Sequence, residues 1–461
     1  MTDPAHIVHT ARRVFLVGIG GIGMSALARG FAARGCHVSG YDRTASWIAR
    51  GLEREGIDIT YDHAAEARDP QADLVIYTPA VPADHPHLVA YRSTHPERVL
   101  KRAEALGHLA RPHRTVAVAG AHGKTTVSSM IAHVLAHAGC PVEAFLGGVL
   151  AGYDTNHVYR PGDDRVVVAE ADEYDRSFLQ LSPDVAVVTS VDTDHLDVYG
   201  NLASIEREFA AFVQCIRDGG RLITRPHLSH LAGGGPVTTY GHEPQADLHL
   251  VSRTVHGDGY RFVVGDAERE RPFVLPLGGR HNVENALAAV VVCRSLGVHD
   301  EAIADGLATF RGIRRRFETV FRSHDLVLID DYAHHPREIE SLVESVRELY
   351  PGHRMVVIFQ PHLFSRTRDL ADGFARALDA ADEVILLPVY PAREEPIPGV
   401  DEGLIADRMS ATPRRMPADR VPGAVEIDGP AVWLTVGAGD IDRLVPRLRD
   451  VFRDHLRTAA S

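Results

Sequence analysis

Two glycine turns, one at Gly18 and one at Gly120, constrain this chain more than any other feature. Each follows a short apolar, β-branched run and opens a helix-like stretch. A backbone that passes from strand to helix on glycines leaves the first helical N–H groups pointing at one spot. The positive end of the helix dipole lies behind them, so the spot suits a phosphate. This grammar belongs to α/β folds built on parallel sheets. The chain has 461 residues, room for roughly two to four domains of ordinary size.

The first turn reads Gly18-Ile19-Gly20-Gly21-Ile22-Gly23-Met24-Ser25 after the strand candidate Val14 to Val17. Asp42 ends the next strand candidate, Cys36 to Tyr41, where an acidic side chain can bond a ribose hydroxyl. Alone, this pattern fits NAD, FAD or a UDP-sugar about equally, so an oxidoreductase is the first rival class. Glycines that only let a helix pack close to a strand would look the same, a lesser alternative in this context. The second turn reads Gly120-Ala121-His122-Gly123-Lys124-Thr125-Thr126 after Val118. Its backbone N–H groups can cradle ATP phosphates, with Lys124 on the β/γ-phosphates and Thr125 offering a hydroxyl to Mg²⁺. It departs from the full Walker pattern, since Val118 stands where that pattern has its first glycine. A nicotinamide enzyme has no need of this loop. One turn for a nucleotide-linked substrate and one for ATP is the reading that uses both.

Basic residues are almost all arginine; Lys101 and Lys124 are the only lysines. A phosphate-loop lysine is a compact point charge that a planar guanidinium replaces poorly. Its survival in this composition therefore points to a role for Lys124. Net charge is −13, which disfavours nucleic-acid binding. No apolar run reaches the ~18–20 residues of a membrane span. Met1 to Arg13 lacks the layout of a signal peptide. Cys36, Cys140, Cys215 and Cys293 lie far apart with no CxxC pair, which suits a reducing cytoplasm better than a disulfide or zinc framework. Nothing in the chain signals an oligomeric state.

Three segments follow. The first, residues 1–110, carries βαβ grammar: Val14 to Val17, helix Met24 to Ala33, Cys36 to Tyr41 and Ala72 to Tyr77. Gly107 to Arg114, with Pro112, reads as a linker. The second, 111–311, starts with strand Thr115 to Ala119 and helix Val127 to Ala138. It continues with strands at Arg165 to Ala169, Asp184 to Thr189, His249 to Val255 and Tyr260 to Val264, a flexible glycine loop at Leu231 to Pro236, and a helix over Val283 to Leu296. The third, 312–461, alternates again: strand Leu326 to Ile329, helix Arg337 to Leu349, strand Arg354 to Phe359, helix Arg368 to Ala380 and strand Glu383 to Pro388. That is a second doubly wound unit.

Strand ends carry the chemistry-bearing side chains. Glu170-Ala-Asp172-Glu173 follows one apolar strand, and Asp192-Thr-Asp194-His195 follows another. Singly each reads as a solvated loop; together behind a GKTT turn they can converge on a metal. In the third segment Asp330-Asp331-Tyr332-Ala-His334-His335 and Gln360-Pro-His362-Leu363-Phe-Ser-Arg366 close strands and suit a carboxylate-bearing substrate.

These motifs add up to a resemblance to the Mur ligases over essentially the whole length. It is carried by GIGGIGMSALA at Gly18, GAHGKTT at Gly120, EADEYD at Glu170, DTDHLDVYG at Asp192, GRHNVENALAA at Gly279, FRGIRRRFE at Phe310, DDYAHHP at Asp330, QPHLFSRTRD at Gln360 and VYPAREEPIPG at Val389. The resemblance implies a Rossmann-like N-terminal UDP-sugar domain, a central P-loop ATPase-type domain and a C-terminal Rossmann-like acceptor domain. It implies ATP and Mg²⁺ and a reaction through an acyl phosphate. By motif position Lys124 would hold the phosphates, Thr125 a first Mg²⁺, and Glu170 with His195 a second. Asn282 would contact adenine, and Arg315 and Asp330 would join the ATP site. Tyr332, His334, His362 and Arg366 would place the incoming amino acid.

Within the family, the glycine-rich first turn and the late VYPAREEPIPG are similar to the alanine-adding branch, whose substrates are UDP-N-acetylmuramate and L-alanine in peptidoglycan precursor synthesis. The tripeptide-recycling branch carries a basic insertion after EADEYD; here Arg176 to Pro183 runs straight into the next strand. Later-acting members use a carbamylated lysine, and no lysine follows Lys124. One departure stands out: Leu363 occupies the place where many alanine-adding members have arginine, so half of the expected carboxylate clamp is absent.

Overall fold

The computed structural model describes residues 3–172, 174–191, 202–392 and 394–459. The chain divides into two compact units. The first comprises Met1–Arg253, Arg261–Leu275 and Val283–Phe310; the second comprises Thr254–Tyr260, Pro276–Asn282 and Arg311–Ser461.

The first unit opens with α1 (Pro4–Thr10) and a sheet of β1 (Arg13–Val17), β2 (His37–Tyr41), β3 (Asp58–Thr60), β4 (Leu74–Tyr77) and β5 (Val99–Lys101). All pairings are parallel in the order β3-β2-β1-β4-β5. β1 is central and its residues Val14, Leu16 and Val17 are fully buried, as a strand covered on both faces requires. Chain order reverses beside β1, so the turn that follows it lies at a topological switch point, the usual place for a ligand in such sheets. The helices are α2 (Ile22–Ala33), α3 (Trp47–Arg54), α4 (Pro86–Thr94) and α5 (Arg102–Ala110). Helix α5 takes up Gly107 to Ala110, half of the expected linker, because Leu106, Leu109 and Ala110 bury themselves in the core. The connection shrinks to Arg111, Pro112 and His113.

The second sheet is built from β6 (Arg114–Ala119), β7 (Val142–Leu150), β8 (Thr155–Arg160), β9 (Val166–Glu170), β10 (Val185–Val188), β11 (Arg221–Thr224), β12 (Val237–Gly241), β13 (Leu248–His256), β14 (Gly259–Gly265) and β15 (Glu270–Leu275). Their order is β15-β14-β13-β12-β11-β10-β6-β9-β7-β8. β6 therefore runs between β9 and β10, parallel to both. Helix α6 (Lys124–His137) starts three residues before the expected Val127, at the phosphate-loop lysine itself. The antiparallel hairpin β7–β8 is not among the expected strands. One continuous apolar cluster joins Leu16 of β1 and Leu27 and Phe31 of α2 to Phe145 of β7 and Val167 of β9.

In the second unit β16 (Glu318–Arg322), β17 (Leu326–Asp331), β18 (Arg354–Phe359), β19 (Glu383–Leu386), β20 (Arg414–Arg415) and β21 (Ala431–Val436) form a sheet in the order β16-β17-β21-β18-β19-β20. β16 alone is antiparallel to its neighbour. The helix expected from Arg368 begins four residues earlier and runs Phe364–Leu378, which puts Arg366 in its first turn. Trp433, Leu434 and Val356 are buried at the middle of the sheet. Among the described residues no helix is long and apolar enough to cross a membrane.

Candidate functional site

The glycine turn after β1 is closed by its neighbours. Gly18 N–H donates to Tyr41 O (2.7 Å), and Gly21 N–H donates back to Gly18 O (3.1 Å). Gly18 has φ +84, and a Cβ there would stand 2.6 Å from Thr78 Cγ2, so only glycine fits. Gly21 caps α2, with Gly23, Met24 and Ser25 in its first turns. Asp42 does something the sequence did not reveal. Its carboxylate accepts Gly20 N–H (2.8 Å) and Thr44 N–H (3.1 Å), so it pins the turn, whatever else it contacts. Arg102, at the start of α5, lies over Gly23: a Cβ on that glycine would meet its Nη1 at 2.9 Å. The same arginine lines a small crevice with Leu106, Glu170, Asp172 and Ser177. Nothing in the local sequence marks Arg102, because its neighbour is a turn some eighty residues earlier.

The loop Gly120–Thr126 leaves β6 between the ends of β9 and β10, and both strands shape it. Just past β10, Thr189 Oγ donates toward Ala119 O and His122 O. Ser190 Oγ accepts His122 N–H (3.0 Å), and Ser190 O accepts Ala121 N–H (3.0 Å). Gly120 has φ +136, with Thr189 Oγ1 2.0 Å from where its Cβ would be; Gly123 has φ +80 and faces Asn285 Oδ1 in the same way at 2.5 Å. Lys124 Nζ bonds Gly120 O (2.7 Å) across the loop, which holds the ammonium over the cradle. Thr125 and Thr126 are buried at the first turn of α6. Thr189, Ser190 and Asn285 are the loop's unforeseen supports.

From β9, Glu170 stands opposite Val118 in the register. Its Oε2 accepts Gly147 N–H at 3.0 Å. The carboxylate occupies the space a side chain on Gly147 would need, 2.2 Å from its Cβ position. A hydroxyl and a carboxylate are hard oxygen donors of the kind Mg²⁺ prefers, so Thr125 and Glu170 fit that ion. His195, with Asp192 and Asp194, lies outside the described residues. Among the described residues no cluster of three or more His, Cys, Asp or Glu side chains is arranged for a metal.

The second unit gathers its expected residues at the ends of β17, β18 and β21. Burial pushes Asp330 up to about 7, opposed by the Thr435 hydroxyl and Arg315. Thr435 Oγ donates to Asp330 Oδ1 at 2.6 Å, and Arg315 Nε lies 3.7 Å from Oδ2. Arg315 sits at φ +61, donates to Gly437 O (2.6 Å) and Gly439 O (3.2 Å), and covers the Tyr332 ring at 4.9 Å. Asn282 also belongs to this unit and bonds Gly278 O through Nδ2 (2.6 Å).

His334 faces the backbone through Nδ1, 2.9 Å from Tyr332 O. A carbonyl can only accept, so in the neutral ring the proton sits on Nδ1 and Nε2 keeps a lone pair. Burial lowers the His334 pKa; Glu338 and the Tyr332 carbonyl oppose this, and Arg366 adds to it. The His334 and His362 rings lie 6.2 Å apart, and His362 stacks on Tyr390 at 5.7 Å. Arg366 Nη1 is buried and has no hydrogen-bond partner among the described residues. Leu363 holds φ +71, a conformation that branched side chains avoid. Glu394 ties the two loops together by accepting from Ser365 N–H (2.9 Å) and Ser365 Oγ. Arg368 is paired with Asp369 at the surface (2.7 Å).

The first two sheets each carry a glycine turn between a strand and a helix, and the third carries histidines and arginines at its strand ends. Family models match along the chain: residues 13–114 as the Mur ligase family catalytic domain, 118–293 as the Mur ligase middle domain and 315–428 as the Mur ligase glutamate ligase domain. The chain belongs to the Mur ligase family. Within it, the chain is 41% identical over 450 residues to the UDP-N-acetylmuramate–L-alanine ligase of Cytophaga hutchinsonii, covering 95% of this chain and 96% of that one. The ligase of the same name from Parabacteroides distasonis is 42% identical over 460 residues, 98% and 99% of the two chains. The crystal structure of the Thermotoga maritima UDP-N-acetylmuramate–alanine ligase superposes with a TM-score of 0.82 at 30% identity, covering 96% and 99%. A murein peptide ligase from Psychrobacter arcticus shares the fold, with a TM-score of 0.68 at 22% identity over 95% and 98%.

Proposed function

We propose that this chain joins L-alanine to the lactyl carboxylate of UDP-N-acetylmuramate, coupled to cleavage of ATP, in peptidoglycan precursor synthesis. Kinship over the full length with ligases of that name carries this reading. The substrate carboxylate oxygen attacks the ATP γ-phosphorus and ADP leaves, giving an acyl phosphate. The alanine amine then attacks the acyl carbon, the tetrahedral intermediate expels phosphate, and the amine gives up a proton. Lys124 and the N–H groups of Gly120–Thr126 hold the phosphates; Thr125 and Glu170, with His195, would hold Mg²⁺, which neutralises charge developing on phosphate oxygens. Arg366, whose buried Nη1 has no partner among the described residues, takes the alanine carboxylate, and the Nε2 lone pair of His334 accepts the amine proton. Gly18 to Ser25 and Asp42 form the UDP-sugar site, Asn282, Arg315 and Asp330 serve ATP, and Tyr332 and His362 line the amino-acid site. The domains run 1–110, 111–311 and 312–461. Four free cysteines and a nucleotide-sugar substrate suit work in the cytoplasm.

The test is phosphate release by the purified protein with ATP and Mg²⁺. It should require both UDP-N-acetylmuramate and an amino acid, and L-alanine should outperform glycine, serine and the stem tripeptide. A clear preference for the tripeptide would make the chain a recycling ligase. Micromolar NAD(P)H binding without such turnover would overturn the ligase reading.

A further inference from the structure

The glycine turn of the first sheet is gripped by a residue of the second. Asn156, on β8, is fully buried. Its Nδ2 donates to Ile22 O (2.6 Å) and to Ser25 Oγ (3.0 Å), both in the first turns of α2, and its Oδ1 accepts from Arg29 Nη1 (2.5 Å). The amide orientation is forced, because a guanidinium can only donate and a carbonyl can only accept. Arg29 is held from the far side by both oxygens of Glu55 (2.7 and 2.8 Å). A relay therefore runs from Glu55, the C-cap of α3, through Arg29 and Asn156 to the segment that carries the glycines. Further along α2 the two sheets also touch, by a separate contact: Arg34 is bidentate to the buried Glu143 of β7 (2.6 and 2.7 Å).

We infer that Asn156 is a positioning residue for the nucleotide-sugar substrate. It reaches across from the ATP-binding sheet and fixes the first turn of α2 in the orientation that receives the UDP group. This rests on the reading that the UDP-sugar occupies the Gly18–Ser25 turn. A buried amide with three good hydrogen bonds stabilises any fold, so a merely structural role is the alternative to be separated. The two roles differ in what they move. Loss of packing lowers the melting temperature, whereas loss of the turn's orientation raises KM for one substrate and spares the other.

Asn156→Asp makes the separation. The carboxylate keeps the Arg29 contact as an ion pair but sets an oxygen against the Ile22 carbonyl, so the turn is pushed open while the relay behind it stays. KM for UDP-N-acetylmuramate should rise tenfold or more, with KM for ATP within twofold of wild type. Arg34→Met, which breaks the separate ion pair with Glu143, should lower the melting temperature and leave KM for the UDP-sugar unchanged. If Asn156→Asp fails to fold, Asn156→Ser, titrated calorimetrically with UDP-N-acetylmuramate, replaces it, and the same loss of affinity is expected. A wild-type KM in the Asp variant, wild-type affinity in the Ser variant, or equal losses for both substrates would overturn the inference. Hydrogen exchange on the wild-type protein distinguishes the two failures. If UDP-N-acetylmuramate protects amides elsewhere and not at Gly18–Ser25, the site reading itself fails. If it protects that turn and the variants still bind normally, the role of Asn156 alone fails.

Discussion

Gly147→Ala should damage magnesium use without damaging the fold. Gly147 lies inside β7, outside the left-handed region, so alanine suits its backbone. Its new Cβ, however, would stand 2.2 Å from Glu170 Oε2 and 2.6 Å from Cδ and Oε1. The backbone of a buried strand will not move by that much, but the end of a glutamate side chain will. Glu170 must swing off Gly147 N–H, breaking one 3.0 Å hydrogen bond at a cost of about 1 kcal/mol. The functional loss is larger. A charge-assisted contact removed from the ion is worth about 1.5–3 kcal/mol, so the Mg²⁺ needed for half-maximal activity should rise roughly 10–100-fold. The assay is phosphate release with Mg²⁺ varied, run beside a thermal melt. Glu170→Asp in the same background should recover part of the loss, since one methylene fewer makes room. An unchanged Mg²⁺ curve would refute the assignment of Glu170. A collapse in stability would refute the claim that the side chain, not the strand, yields.

Four further outcomes follow from the geometry. Lys124→Arg should lower kcat by ~10²-fold or more, because the fork cannot replace an ammonium seated 2.7 Å from Gly120 O; near-normal turnover would remove its role. Arg366→Ala should raise KM for L-alanine by roughly 10–100-fold, the equivalent of one charge-assisted contact, with KM for ATP unmoved; steady-state kinetics with alanine varied decides it. Leu363→Arg should be tolerated, since both side chains bear the same Cβ strain, whereas Leu363→Gly should relieve about 1 kcal/mol of it in a denaturant melt. Finally, His85 is buried against Tyr41, His63 and His87, with ring centroids 4.4–5.2 Å away, and burial, with those two histidines, lowers its pKa from 6.5 to about 4. The folded value lies below the unfolded one, so its contribution is whole above the unfolded value and drains as the pH falls toward 4. The effect is on the order of 3 kcal/mol. His85→Asn should flatten the acid side of the stability curve between those limits, and an identical curve would refute it.

What the sequence showed plainly was whatever depends on near neighbours. Val14 to Val17 and Thr115 to Ala119 were legible as strands because a doubly covered strand is apolar throughout, and both glycine turns because phosphate cradles demand that residue where φ is positive. The hairpin β7–β8 was not legible: Val142–Leu150 contains two glycines, and Thr155–Arg160 is mostly polar, so neither carries the alternation of an ordinary strand. Ala431–Val436 did carry an apolar run, yet it is not among the expected strands. It lies between β17 and β18, strands more than seventy residues back, and no local pattern announces that insertion.

The side chains around each site show the same limit more sharply. Glu170 was identifiable from a strand-end motif, but its anchor, Gly147 N–H, comes from the hairpin that was missed. Asp42 was in the right place for a ribose, yet in the fold it directs its lone pairs to Gly20 and Thr44. Lys124 could be singled out in the sequence; Thr189, Ser190 and Asn285, which give its loop a shape, could not. A polar residue acquires such a role from the strand order, and β6 acquires its neighbours β9 and β10 only when the chain crosses over twice. Chemistry-bearing residues are thus visible as types at strand ends, while the residues that aim them are ordinary polar side chains until the sheet has formed. Asn156 is the extreme case: it lies 134 residues from Ile22, outside every motif that marked the family, and it holds the first of those motifs in place.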